Sequence, residues 1–267
     1  MGEFFNKIIA EIAELEEVEA IMLAGSHPTG FTDSMSDYDV CVYINREIPV
    51  EKRKKIIEKY SSYSEVNNQY WETEDDFIIA DENILMEVIY RDFNFVESMV
   101  GNCVEKHYAS TGYTTCFWGS IIHSKLLFDR NGKGKAMIER FSVEYPKELK
   151  QNIVDKNYPL LKDSIPAYSK QIEKALLRED YISVNHGIAA LLASYFDIVF
   201  AINEKTHPGE KKLIKIVKEK CNLIPAKFEE DINYLTKPQW EKEKILQVID
   251  SLVDNLTELL KSEGLIK

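Results

Sequence analysis

Apolar positions in the first half of the chain follow two different spacings. Over residues 3–16 they recur every three or four residues, which predicts an amphipathic helix. Short apolar runs at 20–24, 37–44 and 76–90 predict strands, and a basic segment at 50–59 predicts a surface helix. Because strand and helix patterns alternate, this region is predicted to be an α/β (α+β) domain with a small mixed sheet.

From about residue 145 the pattern becomes exclusively helical. Four segments carry apolar residues at three- and four-residue steps: 166–178, 180–204, 209–220 and 239–262. They predict an all-α helical-bundle domain. We therefore predict two domains, at residues 1–140 and 141–267.

The charge of the chain restricts its partners. It has 45 acidic and 33 basic residues, which gives a formal net charge of −12. Such a surface repels phosphate backbones, which disfavours a general nucleic-acid binder, and it attracts cationic small molecules. The four cysteines are scattered without a metal-ligand spacing, so no structural zinc site is predicted.

One stretch is apolar enough to raise the question of a membrane span. Residues 187–202 are largely apolar, but Asp197 interrupts them and the run is short, so we predict a buried helix. The chain starts with an amphipathic, acidic segment rather than a signal peptide. We predict a cytoplasmic protein with no membrane partner, and the sequence does not define an oligomeric state.

Two features around the second predicted strand carry candidate chemistry. Gly25 and Ser26 directly follow the first predicted strand, and Gly30 comes four residues after the serine. Glycine allows backbone N–H groups to approach a phosphate, and a serine hydroxyl can donate a further hydrogen bond. Asp37 and Asp39 open the next strand, and because side chains alternate along a strand, both carboxylates are expected on the same side.

Glu87 is the third candidate acidic residue. It is the only charged residue in the apolar run 84–90. An isolated carboxylate is costly to bury there, so a cation should face it. Three carboxylates together favour Mg²⁺, a hard ion that prefers oxygen ligands. If the strand register differs from this prediction, Asp81, Glu82 or Asp92 would take the place of Glu87.

These residues resemble a known family. The glycine-serine motif, the glycine after it and the Asp37-x-Asp39 pair between apolar strands are similar to the signature of the polymerase-β-like nucleotidyltransferases. A third acidic residue on a later strand belongs to the same pattern, and Glu87 is its best match. The helical second region is similar to that of aminoglycoside and lincosamide nucleotidyltransferases, which modify antibiotic hydroxyls. The resemblance is specific over residues 20–44 and becomes architectural in the helical region.

The resemblance implies a transfer reaction that uses two magnesium ions. Asp37 and Asp39 would hold the ions on the triphosphate of an NTP, with ATP favoured. Gly25 and Ser26, with Gly30, would bind the β- and γ-phosphates. An acceptor hydroxyl would attack the α-phosphate in line, and pyrophosphate would leave.

Two further residues complete the predicted site. Glu87 would either ligate the second metal ion or accept the hydroxyl proton as general base, and the sequence leaves both roles open. In the helical region, Lys211 follows a Pro-Gly turn at the start of a predicted helix. Its ammonium group there could neutralise part of the triphosphate charge.

The favoured reaction is transfer of a nucleoside monophosphate, AMP first, to a hydroxyl of a small cationic acceptor of the antibiotic type. The net charge supports a cationic acceptor. Three alternatives stay open: nucleotide transfer to a protein, as in antitoxin nucleotidyltransferases, polymerisation on RNA ends, and a catalytically silent nucleotide-binding module. The acidic balance disfavours the RNA reaction, and the intact carboxylates disfavour a silent module.

Overall fold

The computed structural model describes residues 2–25, 37–236 and 242–266. The chain forms two compact units. The first comprises Met1–Gly101 and Phe117–Val143, and the second comprises Asn102–Cys116 and Glu144–Lys267. Each unit is built from two separate chain segments, and the division into domains at residue 140 stays a prediction.

The chain up to Phe141 forms a sheet and the helices around it. The strands are β1 (Val18–Leu23), β2 (Tyr38–Ile44), β3 (Ser61–Asn68), β4 (Glu74–Ile79), β5 (Ile84–Asp92) and β6 (Lys125–Asp129). The helices are α1 (Glu3–Glu14), α2 (Val50–Ile57), α3 (Phe93–Val104), α4 (Cys116–His123) and α5 (Lys133–Phe141).

The six strands form one mixed sheet in the order β3-β4-β5-β2-β1-β6. Strands β2 and β5 are parallel, and the other neighbouring strands pair in the antiparallel sense. A mixed sheet with helices, followed by a helical region, confirms the predicted fold class.

One face of the sheet carries the hydrophobic core of the first unit. Along β2 the alternate residues Tyr38, Val40 and Val42 belong to this core, together with Met86 and Val88 of β5. Apolar residues of α1 pack into the same cluster. Because strand side chains alternate between faces, these core positions leave the residues between them on the opposite face.

Helix α2 differs from the predicted surface helix at one position. Its Arg53 is buried, and the guanidinium donates to the carboxylate of Asp75 in β4 at 2.7 Å. The same guanidinium lies over the ring of Tyr90, 4.6 Å from its centroid. Burial raises the pKa of Asp75 although the arginine pairs with it. This buried ion pair connects α2 to β4. Removing either partner would be destabilising, because it would leave an unpaired charge in the core.

The second unit is helical. Its main elements are α6 (Lys147–Leu161), α7 (Tyr168–Leu177), α8 (Tyr181–Ile202), α9 (Leu213–Lys220), α10 (Phe228–Leu235) and α11 (Lys242–Ser262). Helix α8 has the length and apolar composition of a membrane span, but most of its apolar window is buried inside the protein. This is the pattern of a core helix, as the sequence predicted for residues 187–202.

Asp197 is a buried acidic residue at the middle of this helical unit. Its carboxylate accepts hydrogen bonds from the backbone N–H of Thr114 at 3.0 Å and from the Thr114 hydroxyl at 2.7 Å. The side-chain amide nitrogen of Asn157 also donates to it at 3.3 Å, and the side-chain Oδ1 of Asn157 accepts from the backbone N–H of Gly112 at 2.9 Å. Burial raises the pKa of Asp197 to about 6. These bonds attach the segment around residues 112–114 to α6 and α8.

His207 is buried in the same unit, in the turn region that precedes α9. Its backbone N–H donates to the hydroxyl of Thr115 at 2.8 Å, and its Nδ1 accepts from the backbone N–H of Gly209 at 3.2 Å. Burial lowers the pKa of His207 to about 4, so the imidazole is neutral at pH 7. The Nδ1 of this imidazole is thus hydrogen-bonded, whereas its buried Nε2 has no hydrogen-bond partner among the described residues.

Candidate active site

Three of the predicted acidic residues lie together on the face of the sheet opposite the core. Asp37 directly precedes β2, Asp39 lies within β2, and Glu87 lies within β5. Asp39 and Glu87 are paired across the parallel β2–β5 ladder. One carboxylate oxygen from each of the three residues lies within 4.8 Å of the others. The structure thus brings together residues that are far apart in the sequence.

The alternation of side chains along two strands explains this arrangement. Asp39 lies between Tyr38 and Val40, which are both buried in the core. Glu87 likewise lies between the buried residues Met86 and Val88. Burying these apolar neighbours fixes which face each strand presents to the core, at about 1.5–3 kcal/mol for each large side chain. The carboxylates consequently project from the other face, where they are only half-buried.

Gly25 stands against this cluster, at the end of β1. Its φ of +68° is in the left-handed region that favours glycine. A Cβ at this position would overlap the carboxylate of Asp39. The neighbouring Ala24 donates its backbone N–H to the Asp39 carbonyl oxygen at 2.8 Å, which holds the two strand ends together. Glycine is therefore required here both by the backbone conformation and by the position of Asp39.

The remaining predicted ligands are placed differently. Ser26 and Gly30 lie outside the described residues, and their predicted phosphate contacts stay predictions. Lys211 is exposed in the turn that leads into α9, in the second unit. The turn around Lys211 follows the buried His207.

The three rivals of Glu87 have other roles in the structure. Asp81 and Glu82 accept hydrogen bonds from backbone N–H groups at the start of α1, at 3.1 and 2.8 Å. Asp92 accepts from the backbone N–H of Phe95 in the first turn of α3 at 2.7 Å. Carboxylates at helix N-termini satisfy free N–H groups and interact favourably with the helix dipole. Among the described residues, Glu87 is the carboxylate that lies with the aspartate pair.

The chemistry of the cluster fits a divalent cation. Two unit charges about 5 Å apart repel by roughly 3 kcal/mol at the effective dielectric constant of about 20 that suits protein sites. Three ionised carboxylates within 4.8 Å of one another therefore repel one another, and a divalent cation among them would offset this repulsion. Carboxylate oxygens are the ligands that Mg²⁺ takes in proteins, usually with water and phosphate oxygens in the rest of its shell.

The acidic run at residues 72–76 divides between the two faces of the sheet. Glu72 accepts from the guanidinium of Arg91 at 2.7 and 2.5 Å, which lowers the pKa of the glutamate. Asp75 faces the core, whereas Glu74 and Asp76 are half-buried on the same face as Glu87. Alternation along the chain does not by itself show which of these acidic residues have an arginine nearby.

Comparison with known proteins agrees with this site. Residues 5–87 match the model of the nucleotidyltransferase domain. This part of the chain is a nucleotidyltransferase domain. The predicted polymerase-β-like superfamily is confirmed, and the matched region contains all three clustered carboxylates and Gly25.

Wider similarity is limited. No curated protein matches the chain. A solved structure that aligns with this one is described as a nucleotidyltransferase-like protein from Exiguobacterium sibiricum 255-15. The two chains are 13% identical, the TM-score is 0.45, and the alignment covers 98% of this chain and 76% of the other.

Proposed function

We propose that the protein transfers a nucleoside monophosphate, with AMP favoured, from a magnesium-bound NTP to a hydroxyl of a small cationic acceptor. Pyrophosphate is the second product. The observation that carries the proposal is the cluster of Asp37, Asp39 and Glu87 inside a nucleotidyltransferase domain. A transferase of this family needs to hold a nucleotide, and clustered carboxylates hold it through metal ions.

The three carboxylates have the roles of metal ligands in this proposal. Bound magnesium would supply charge neutralisation to the triphosphate and to the departing pyrophosphate. Asp37 and Asp39 lie two residues apart at the start of β2. They are proposed to be ligands shared by the metal ions. The backbone at Gly25 is proposed to bind phosphate oxygens, because it reaches the carboxylate of Asp39 without an intervening side chain.

Glu87 has two proposed roles that differ in their proton balance. As a ligand it only holds metal. As a general base it takes the proton of the acceptor hydroxyl while the oxygen forms a bond to the α-phosphorus and the bond to the pyrophosphate group breaks. Lys211 is proposed as a further triphosphate contact, since its side chain is exposed and cationic.

The acceptor is proposed from charge. With a net charge of −12 the protein attracts cations and repels phosphate backbones, so a small molecule that carries ammonium and hydroxyl groups fits better than RNA. Aminoglycoside-like antibiotics have these groups. We place the reaction in the cytoplasm, where nucleoside triphosphates are available as co-substrate.

Calorimetric titration with ATP, GTP, CTP and UTP, with and without Mg²⁺, tests this function. The expected result is magnesium-dependent binding of at least one triphosphate to the wild type and its loss in Asp39→Asn. Binding should then be followed by pyrophosphate release when cationic hydroxyl compounds are added. If no triphosphate binds under either condition, the protein is a silent relative and the proposal is wrong.

A further inference from the structure

Acidic residues form a row across four neighbouring strands. Asp39 of β2 pairs with Glu87 of β5, Glu87 pairs with Asp76 of β4, and Asp76 pairs with Glu65 of β3. Paired residues on neighbouring strands share a face of the sheet. Glu87 therefore has Asp39 on one side and Asp76 on the other.

Asp76 has an incomplete set of partners. Its Oδ2 accepts from the side-chain amide of Asn68 at 2.8 Å, which fixes the orientation of the carboxylate. Its Oδ1 is buried and has no hydrogen-bond donor among the described residues. A buried carboxylate oxygen without a donor is unfavourable, so a ligand that brings a donor or a positive charge would be stabilised there.

Two other acidic residues of this region differ from Asp76 because each has an arginine partner, although the Oδ2 of Asp75 also has no hydrogen-bond donor among the described residues. Asp75 pairs with Arg53, and Glu72 pairs with Arg91. In the described part of the chain, neither Glu74 nor Asp76 forms an ion pair with lysine or arginine. Among the described residues, arginine therefore pairs with Glu72 and Asp75 but not with Asp76.

We propose that Asp76 is a specificity-determining residue that binds an ammonium group of the acceptor next to Glu87. The order of the acidic residues across the strands indicates on which side of Glu87 each substrate binds. Asp37 and Asp39 hold the nucleotide on the β2 side of Glu87, which leaves the β4 side for the acceptor. An acceptor ammonium at Asp76 then places a neighbouring hydroxyl beside Glu87. This inference rests on the proposed function, and it assigns the acceptor subsite to β4.

Spermidine is a suitable probe, because it carries ammonium groups and has no hydroxyl to react. Its affinity would be measured by calorimetry on the full chain with saturating Mg²⁺ and the triphosphate that binds best. Asp76→Asn keeps the shape of the side chain and an acceptor for Asn68, but it removes the charge. Glu47→Gln makes the same charge change at an exposed site after β2 and is the matched control.

The expected result is that Asp76→Asn weakens spermidine binding about tenfold, as the loss of one charge-assisted hydrogen bond would. Glu47→Gln should change it less than twofold, about the effect of one distant, screened charge. Triphosphate binding should be the same in all three proteins. Equal spermidine affinity in the two variants, or no spermidine binding to the wild type, would overturn the assignment of Asp76 alone. Absence of triphosphate binding in the wild type would overturn the proposed function as well.

Discussion

Asp197 in the helical unit and the carboxylate cluster in the sheet unit are acidic groups in two different environments. The Asp197 carboxylate is buried and accepts hydrogen bonds from Thr114 and Asn157. The carboxylates of Asp37, Asp39 and Glu87 are half-buried and lie within 4.8 Å of one another. The first group is surrounded by neutral donors, whereas each member of the second has like charges beside it.

The difference shows why we assign a structural role to one acidic group and propose a functional role for the others. Burial raises the pKa of Asp197 to about 6, and its donors come from the chain itself. Its hydrogen bonds therefore do not depend on an ion or ligand from solution. A divalent cation offsets the repulsion between like charges, so a cluster of carboxylates at a partly open surface is suited to the proposed binding of a metal–nucleotide complex.

The largest effect is expected for Asp39→Asn. The change removes one of three charged ligands and should lower the rate of pyrophosphate release about a thousandfold, more than the roughly ten- to hundredfold typical of groups outside the metal's own shell. Asp197→Asn serves as the comparison, because it changes a carboxylate that is not in the cluster. A fully active Asp39→Asn enzyme with unchanged far-UV circular dichroism would show that the cluster is not the site.

A pH series tests the structural side of the comparison. Folding raises the pKa of Asp197 from 3.8 to about 6, so its contribution to stability falls as the pH rises through this window. Folding lowers the pKa of His207 from 6.5 to about 4, so its contribution rises with pH over nearly the same window. In the wild type the two slopes oppose each other and nearly cancel.

Asp197→Asn should expose the histidine slope. Relative to the wild type, its free energy of unfolding is expected to rise by about 2 kcal/mol between pH 4 and pH 6.5. Urea unfolding curves followed by circular dichroism at several pH values give this difference. His207→Asn should change the slope relative to wild type in the opposite direction, because the titration of Asp197 is then no longer offset by that of the histidine. Parallel pH curves for wild type and both variants would refute this account of the helical core.

Glu87→Gln separates binding from chemistry at the cluster. If Glu87 is the general base, the triphosphate affinity should stay within a few-fold of wild type and the transfer rate should fall about a hundredfold. Calorimetry and single-turnover transfer measure the two quantities. A parallel loss of triphosphate affinity would instead make Glu87 a metal ligand. Unchanged transfer would mean that Glu87 has no role in the reaction.

The smallest effect is expected for Gly25→Ala, which tests the fit of the backbone against Asp39. An added methyl group would displace the Asp39 carboxylate, so magnesium-dependent triphosphate affinity should fall about tenfold. Gly132→Ala is the matched control, because Gly132 also has a positive φ, +75°, but has no atom within 4 Å of an added Cβ. Both changes carry about 1–2 kcal/mol of backbone strain. Equal triphosphate affinity in the two variants would show that Gly25 does not position Asp39.

The sequence predicted the fold class and the nucleotidyltransferase family, because both depend on local patterns. The alternation along β2 and the single charge in the middle of β5 are visible in the chain itself. Strand β3 was not predicted, since Ser61–Asn68 is a largely polar edge strand without a clear apolar face. The buried position of Arg53 was also missed, because its partner Asp75 lies on another strand and only the tertiary structure brings them together.

Some features of the candidate site could likewise be predicted from the sequence, and others could not. The Asp37-x-Asp39 pair and Gly25 were visible as a motif, and the resemblance of this motif to a known family implied the chemistry proposed for them. The pairing of Asp39 with Glu87 follows from a parallel ladder between strands that are not neighbours in the sequence. Strand pairing of this kind is set by long-range packing, which a periodicity argument does not contain. The position of Asp76 beside Glu87 could not be predicted from the sequence for the same reason.

The most direct test of the account is a crystal structure of the protein with Mn²⁺ and a non-hydrolysable analogue of the triphosphate that binds best. Anomalous scattering locates manganese without assumptions about the ligands. The account predicts manganese peaks about 2.0–2.2 Å from carboxylate oxygens of Asp37 and Asp39, with the triphosphate completing the coordination shell. Manganese and triphosphate bound elsewhere, with no peak at these carboxylates, would contradict it.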